Sequence, residues 1–417
     1  MEGLALERTL CAHLAPGAGS PATVIGWVAA VRRFGGLAFL VLRDRSGTCQ
    51  AVVQGATEVP PVESSVAASG AAVAEPRAPG GVELRVVDLR VLAAPTAPLP
   101  FALHRDEIPA SLETVLEHRA AALRHPAERR TFAVQAALTR GFRRHLDRLG
   151  FTETHTPKLV GGATEGGAEV FGIDYFGRRA YLAQSPQLYK QVLVGAGFER
   201  VYEVAPVYRA EPHATSRHLS EYISLDVETE LFAAGGTGPL IALECNLLAA
   251  MFAEVTAACG GAIPPLPDPA RAVTLTLEEA LRLVGRPTLD PEGERLLCAG
   301  VGEMVFVTDW PVDKRPFYAM EMADRPGVTE SFDLILRGLE VTTGGQREHR
   351  GDRLTAAMAH RGVSPAGFEG YLEAFSYGMP PHGGFAIGLE RLTAQLLGLA
   401  NVRRASLFPR DRHRLAP

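Results

Sequence analysis

The sequence predicts an α+β protein in two parts, a small antiparallel β-barrel followed by an antiparallel sheet flanked by helices. Three observations carry that prediction: short β-rich runs cluster near the N-terminus, helical periodicity takes over after Pro126, and the strand-like segments beyond it return as hairpins rather than helical crossovers. At 417 residues the chain is long for one compact domain. The expected division is 1–95 for the barrel, 96–124 for a linker or hinge, and 125–417 for the sheet and its helices.

From Ala22 to Gly55 the runs VIGWVAAV, LAFLVLRD and TCQAVVQ are separated by Arg-Phe-Gly-Gly and Arg-Ser-Gly, which are turn sequences. A further β-rich run, VELRVVDLRVL, follows the turn-prone Glu-Pro-Arg-Ala-Pro-Gly-Gly, and Pro95 to Pro100 reads as a linker. The intervening VESSVAASG is compatible with either a helix or a loop. After Pro126, AERRTFAVQAALTRGFRRHLDRLG places apolar residues at helical spacing, with Gly150 as its stop. Strand-like segments then include RVYEVAPVYRAE, EYISLDVETEL, EMVFVTDWP, SFDLILRGLEVTT and GGFAIGL. No internal repeat is visible.

Composition narrows the class. Hydrophobic residues at 47% and charged residues at 21% exclude a disordered or fibrous chain. With a net charge of -5, nucleic-acid binding would depend on local clusters such as Arg32, Arg33, Arg43 and Arg45, because attraction to phosphate decays over about 10 Å in salt. Five scattered cysteines without a CxxC pair argue against a disulfide framework or a zinc site and fit a reducing cytoplasm. No basic region followed by an apolar stretch opens the chain, so no secretory signal is expected. The most apolar region, Ile241 to Ala262, is interrupted by Glu244, Asn246 and Glu254, which suits an amphipathic helix better than a membrane span.

Three segments concentrate charge where a structural sheet would not need it. VYRAEPHATSRHLSEY carries Arg209, Glu211, Arg217 and His218 in a loop between strands, a set suited to a polyphosphate and a purine edge. A solvated hairpin tip with paired surface charges would carry the same residues. In FAIGLERL, Arg391 follows a glycine-bearing strand and opens a helix, where an ordinary surface arginine is the bland alternative. In FDLILRGLEVTTGGQREH, Asp333 and Glu340 are seven apart, so a regular strand would point them to opposite faces. They share a metal only if the chain bends near Gly338.

Together these segments resemble the signature motifs of the class II aminoacyl-tRNA synthetases. LGFTETHTPKL is similar to the first motif, a dimer-interface helix and strand; YRAEPHATSRHLSEY resembles the second and GGFAIGLERL the third. AQSPQLYKQ, RGLEVTTGGQREH, YGMPPHGGFAIGLERL and the closing LFPRDRHRL resemble the archaeal and eukaryotic type of aspartyl-tRNA synthetase. The N-terminal barrel is similar to that family's anticodon-binding OB-fold domain, so the likeness spans nearly the whole chain. It implies a class II catalytic domain, a cytoplasmic homodimer without membrane contact, and a two-step ligation of L-aspartate to tRNA using ATP and magnesium.

The resemblance also assigns roles. Arg209 would bind the α-phosphate and stabilise its charge as the aspartate carboxylate attacks. Glu211 would accept from the adenine amino group, Tyr222 would stack on the ring, and Arg217 and His218 would hold the outer phosphates, with Leu219 beside them. Arg391 would cover the nucleotide from the other side, with Gly388, Leu389 and Glu390 completing that wall. Glu340 and Thr343 match the family's metal-binding acid and hydroxyl, with Asp333 as a second acid; the family usually has Ser in place of Thr343. Lys190 and Arg347 match positions meeting the substrate's side-chain carboxylate, and Asp226 the one facing its ammonium. Gln187, one helical turn before Lys190, would reach the same pocket. Glu165, in GGATEGGAE, fits a loop closing over the substrate.

Lys190 separates aspartate from asparagine, since asparaginyl-tRNA synthetases resemble this fold and share an arginine like Arg347 but do not keep that lysine. An amide held between two buried cations would pair them poorly, at a cost of several kcal/mol. In the barrel, Phe34, Arg32 and neighbouring arginines are candidates for anticodon stacking and charge, while Phe39 is expected in the barrel core. Ala29 and Pro79 occupy two places that the archaeal type associates with accepting tRNA(Asp) alone or tRNA(Asn) as well. Pro79 resembles the relaxed type, which implies Asp-tRNA(Asn) for an amidotransferase. The rivals are asparaginyl-tRNA synthetase, a tRNA-independent asparagine synthetase on the same fold, and a non-catalytic tRNA-binding paralogue.

Overall fold

The computed structural model describes residues 8–17, 22–55, 58–162, 170–211, 215–233 and 235–416. The chain divides into two compact units, Met1–His125 and Pro126–Pro417.

In the first unit, β1 (Ala22–Phe34), β2 (Leu37–Arg43), β3 (Thr48–Gln54), β4 (Ser65–Ala74) and β5 (Val82–Ala93) close a barrel in the order β1-β2-β3-β5-β4. Strand alternation fills it: Val24, Val28, Leu40, Leu42, Ala51, Val66, Ala68 and Leu84 point inward and are buried. The VESSVAASG stretch, open between helix and loop, is largely strand β4. Its small residues give no periodicity of their own, and pairing with β1 and β5 decides its conformation. Phe39 is a correction. It lies directly opposite Arg32 on the half-buried outer face, because Leu40 and Leu42 take the inward positions. Arg43 is a second one: it is 5% exposed and bound to Glu63 at 2.7 Å, so it does not join a surface phosphate cluster.

The expected linker is more than a connector. Helices α1 (Leu112–Glu117) and α2 (Arg119–Ala122) lie within it, and Phe101, Leu103, Val115 and Ala122 form a small apolar cluster. Ser111 caps α1 by accepting the Thr114 N–H.

The second unit is built on an eight-stranded sheet. Strands β6 (Thr152–Glu153), β10 (Arg200–Tyr208), β11 (Glu221–Glu230), β12 (Val273–Thr276), β13 (Met304–Pro311), β14 (Val328–Leu336), β15 (Leu339–Arg347) and β16 (His382–Gly388) run in the order β12-β13-β14-β15-β16-β11-β10-β6. Only the end pairs β12/β13 and β10/β6 are parallel, as the hairpin-like sequence pattern requires. The short strands β7 (Leu159–Val160), β8 (Gly172–Tyr175) and β9 (Arg178–Leu182) form a separate sheet. Helices α3 (Pro126–Arg148) and α5 (Gly238–Cys259) pack on one face of the large sheet, and α4 (Gln187–Leu193) lies against β10 and β11. Gly150, at φ +78°, follows the end of α3 as expected. Helices α3 and α5 meet at Gly141, where a Cβ would lie 2.6 Å from the Met251 Cα.

Helix α5 is long and apolar enough to cross a membrane by composition. Here Leu247, Leu248, Met251 and Val255 pack with Leu138 and Phe142 of α3 and with the core residues Phe332 and Phe385 of the sheet. Helices α6 (Leu277–Val284) and α7 (Pro291–Val301) enclose a second core with β13, and α8 (Gly351–His360) and α9 (Glu369–Ser376) a third around Phe317 and Tyr371. Helix α10 (Leu389–Leu397) continues directly from β16.

Two-residue alternation makes the opposite sheet face chemically different. Directly paired residues share a face, and one such row crosses five strands through Glu203, Asp226, Ala386, Thr343 and Asp333. The odd spacing of Asp333 and Glu340 is reconciled by two devices. The chain reverses at Arg337–Gly338, putting the acids on neighbouring strands, and a bulge leaves Val341 without a partner. The extra residue shifts the alternation, so Glu340 joins Thr343 on the face opposite α3 and α5.

Candidate active site

Two adjoining cavities occupy that face. The first is lined by the loop residues Arg209, Glu211, Arg217 and His218, by Tyr222 of β11, by Glu340 and Thr343 of β15, and by Gly388 and Arg391 at the β16–α10 junction. The second, about 500 Å³, is lined by Gln187, Asp226, Arg347 and the segment Asp313–Ala319. Arg209, Tyr222, Ser224, Thr343 and Ala386 border both, so the cavities meet along the centre of the sheet.

The strand-to-helix junction positions Arg391. Its guanidinium donates to the Glu340 backbone oxygen at 3.1 Å and carboxylate at 3.3 Å, and its Nε to the Arg217 carbonyl at 3.3 Å. Arg209 lies over the Tyr222 ring, 5.7 Å from its centroid. Arg217 is held by Glu294 and by the Gly338 carbonyl at 2.9 Å. His218 sits beside Thr215, whose Oγ1 is 2.6 Å from Nδ1. Burial, then Arg391, Arg217 and Arg209, push its pKa below the ordinary imidazole value. A polyanion would find three guanidiniums around one cleft.

Two residues expected in this wall do something else. The Leu389 side chain belongs to the hydrophobic core. Glu390 borders the cavity but accepts the Ile223 N–H at 3.0 and 3.1 Å, and burial raises its carboxyl to about 8. It fastens α10 to β11. Leu219, 5% exposed, lines the cavity with an apolar surface. Glu165 lies outside the described residues.

At the far end, α4 brings Gln187 and Lys190 to β11. Lys190 Nζ is 3.1 Å from Asp226 Oδ1, 3.2 Å from Glu228 Oε2 and 3.3 Å from the Val227 carbonyl. Arg347 donates through Nε to Glu228 at 3.0 Å and through its terminal nitrogen to Gln187 at 3.3 Å and the Gly384 carbonyl at 3.0 Å. Gly384 is required there, since a Cβ would lie 2.0 Å from the Val227 oxygen and 2.4 Å from the Glu228 carboxylate. Arg347 also lies 5.6 Å from the centroid of the Tyr318 ring.

Sequence reasoning missed Glu228. It is fully buried between the two cations; burial alone would raise its carboxyl, but Arg347 and Lys190 outweigh that and hold it below the ordinary carboxylate value. The signal was available in DVETE, where Glu228 follows Asp226 by two and therefore shares its face. Its presence corrects the selectivity argument. Lys190 and Arg347 already have counter-ions in Asp226 and Glu228, so a neutral substrate amide would not leave bare cations.

In the barrel, Arg32 and Phe34 lie on the outer face with Phe39, and Phe34, the last residue of β1 before the turn, is 80% exposed. Ala29 sits at a bulge of β1, and Pro79 is exposed in the 3-10 turn Pro79–Gly81 between β4 and β5.

The chain matches the family of class II tRNA synthetases (D, K and N) over residues 111–412 and belongs to it. Residues 22–92 match the OB-fold nucleic acid binding domain. Over 99% of both chains it is 48% identical to the aspartate-tRNA(Asp/Asn) ligase of Deinococcus radiodurans, and equally to that of Thermus thermophilus. Its structure resembles that of asparaginyl-tRNA synthetase from Pyrococcus horikoshii complexed with asparaginyl-adenylate. The TM-score is 0.90 and the identity 31%, covering 99% of this chain and 100% of that one.

Proposed function

We infer that the protein is an aspartate-tRNA ligase that activates L-aspartate with ATP and passes it to the 3′ end of tRNA(Asp) and of tRNA(Asn). The carrying observation is the junction of the cavities, where Arg209 and Tyr222 border both a three-arginine cleft and a pocket ending in Asp226 and Arg347, with the buried Lys190 paired to Asp226 behind it. A nucleotide in the first and an amino acid in the second would bring carboxylate and α-phosphate together beside Arg209.

Asp226 faces the substrate ammonium, and Arg347, oriented by Glu228 and Gln187, meets the side-chain carboxylate. Tyr222 stacks on adenine, Glu211 accepts from its amino group, and Arg217, His218 and Arg391 bind the outer phosphates. Arg209 stabilises charge on the α-phosphate as the aspartate carboxylate attacks and pyrophosphate leaves. The tRNA ribose hydroxyl then attacks the activated carbonyl and AMP leaves, without a covalent enzyme intermediate.

The residues present fit magnesium as part of a nucleotide complex. Asp333 is 3% exposed, held at 2.7 Å by Arg315 through one carboxylate oxygen, while its other oxygen has no hydrogen-bond partner among the described residues. Glu340 and Thr343 share its sheet face. Among the described residues no cluster of three or more His, Cys, Asp or Glu could hold a metal alone, so phosphate oxygens would complete the shell. Bound there, the ion would offset phosphate charge.

Dual tRNA use is supported by Pro79 and by the relatives from Deinococcus radiodurans and Thermus thermophilus, which are named as aspartate-tRNA(Asp/Asn) ligases. The Asp-tRNA(Asn) formed would pass to an amidotransferase. We place the enzyme in the cytoplasm as a homodimer. Pyrophosphate exchange dependent on aspartate but not asparagine tests the amino-acid assignment; exchange driven by asparagine alone would make it an asparaginyl enzyme. Charging of purified tRNA(Asp) and tRNA(Asn) tests the second part, and failure to aspartylate tRNA(Asn) overturns it.

A further inference from the structure

We propose that Cys11 and Cys49 are a modification site: a thiol pair that a hydroperoxide converts to a reversible disulfide tying the N-terminal arm to the barrel. Their Sγ atoms are 3.5 Å apart, and the residues are only 4% and 3% exposed. Cys11 opens the 3-10 turn Cys11–His13, while Cys49 lies on β3 and packs in the barrel core. A disulfide needs about 2.05 Å between sulfurs. The sulfurs must therefore approach by roughly 1.5 Å.

The arm is already fixed in the required place. Asp44 accepts the Cys11 N–H at 3.0 Å and the Ser46 N–H at 2.7 Å, and Ser46 Oγ accepts the Ala12 N–H at 3.0 Å. The Thr9 N–H donates to the Thr23 carbonyl at 2.8 Å. These contacts hold residue 11 against the barrel whatever the state of its sulfur. The bland role for the pair is two small side chains filling core volume. Such packing does not require sulfur to face sulfur: the Cys11 thiol also reaches the Leu42 carbonyl at 3.6 Å, as Cys298 reaches that of Ile335 at 3.7 Å, yet only Cys11 and Cys49 bring two sulfurs within 3.5 Å among the described residues.

Buried thiols react slowly, so oxidation would proceed through brief opening of the terminal arm. One thiol reduces the peroxide, giving a sulfenic acid and water (or an alcohol from an organic hydroperoxide). When the arm recloses, the second sulfur attacks the first and the sulfenic oxygen leaves as water. The balance is two thiols and one hydrogen peroxide to one disulfide and two waters. A dithiol reductant reverses it.

The test uses the full chain treated with hydrogen peroxide, then alkylated under denaturing conditions and mapped without reduction. We expect a Cys11–Cys49 linked peptide, two hydrogens lighter than the pair, in a chain that remains monomeric on non-reducing gels. Dithiothreitol should abolish the link, and Cys245, Cys259 and Cys298 should stay alkylatable. The oxidised protein should melt a few degrees higher in its barrel transition, an increase absent in Cys49→Ser. If Cys49→Ser does not fold, Cys11→Ala serves the same purpose, since it truncates only the arm side. The proposal is overturned if both thiols remain alkylatable, if they advance to sulfinic acids without cross-linking, or if either links to another cysteine or another chain.

Discussion

Replacing Glu228 with Gln removes one negative charge from a buried cluster of two cations and two carboxylates while keeping its shape. At the 3.0 Å separation from Arg347, Coulomb's law with an effective dielectric near 20 gives an attraction of about 5 kcal/mol. Part of this offsets the cost of burying the glutamate, so a net loss of about 3 kcal/mol is expected, in line with breaking a buried pair from one side. For a unit of this size that corresponds to a fall in Tm of about 6 °C. Aspartate would restore part of the missing negative charge at Arg347, so saturating aspartate should raise the Tm of Glu228→Gln more than that of the parent. The assay is differential scanning calorimetry with and without aspartate, paired with the KM for aspartate in pyrophosphate exchange. A variant as stable as the parent, or one that aspartate stabilises less, would refute the charge-balance reasoning.

Stability should also depend on pH through Glu244, fully buried on α5, where burial raises its carboxyl to about 8. The folded state keeps that proton while the unfolded chain releases it near 4.5, so stability falls as pH rises from about 4.5 to about 8 and then levels. Glu244→Gln should flatten that decline without abolishing it, since Glu390 contributes in the same sense; a Tm-against-pH series with an unchanged slope would contradict this. Arg209→Lys keeps a charge but loses the planar fork, and its kcat for adenylate formation should drop about 100-fold or more with a smaller change in KM for ATP. Phe34→Ala should raise the KM for tRNA about 10-fold by removing an exposed stacking surface, leaving aspartate-dependent pyrophosphate exchange intact; an equal loss in both reactions would place Phe34 in folding instead.

Local pattern alone determined much of this protein. Period-two runs gave the barrel strands β1, β2, β3 and β5, the spacing after Pro126 gave α3, and the motif segments pointed to Arg209, Asp226, Arg347 and Arg391, which border the two cavities, and to Lys190, which pairs with Asp226. These signals survive in one dimension because a strand or helix face is written in residues two to four apart. Glu228 was equally legible by that rule, though passed over.

What required tertiary structure lies in pairings between distant segments. Nothing local in VESSVAASG announces β4, which becomes a strand when β1 and β5 supply hydrogen bonds on both sides. The side that Phe39 faces depends on barrel register, and Arg43 leaves the surface because Glu63 meets it from another segment. The unpartnered Val341 brings Glu340 to the face of Asp333, and the contact of Cys11 with Cys49 exists only because the arm folds back on β3. Sequence fixes which groups are present and which face of their own element they occupy. Packing decides which faces meet, because burying apolar surface and satisfying backbone hydrogen bonds are properties of the whole assembly of elements.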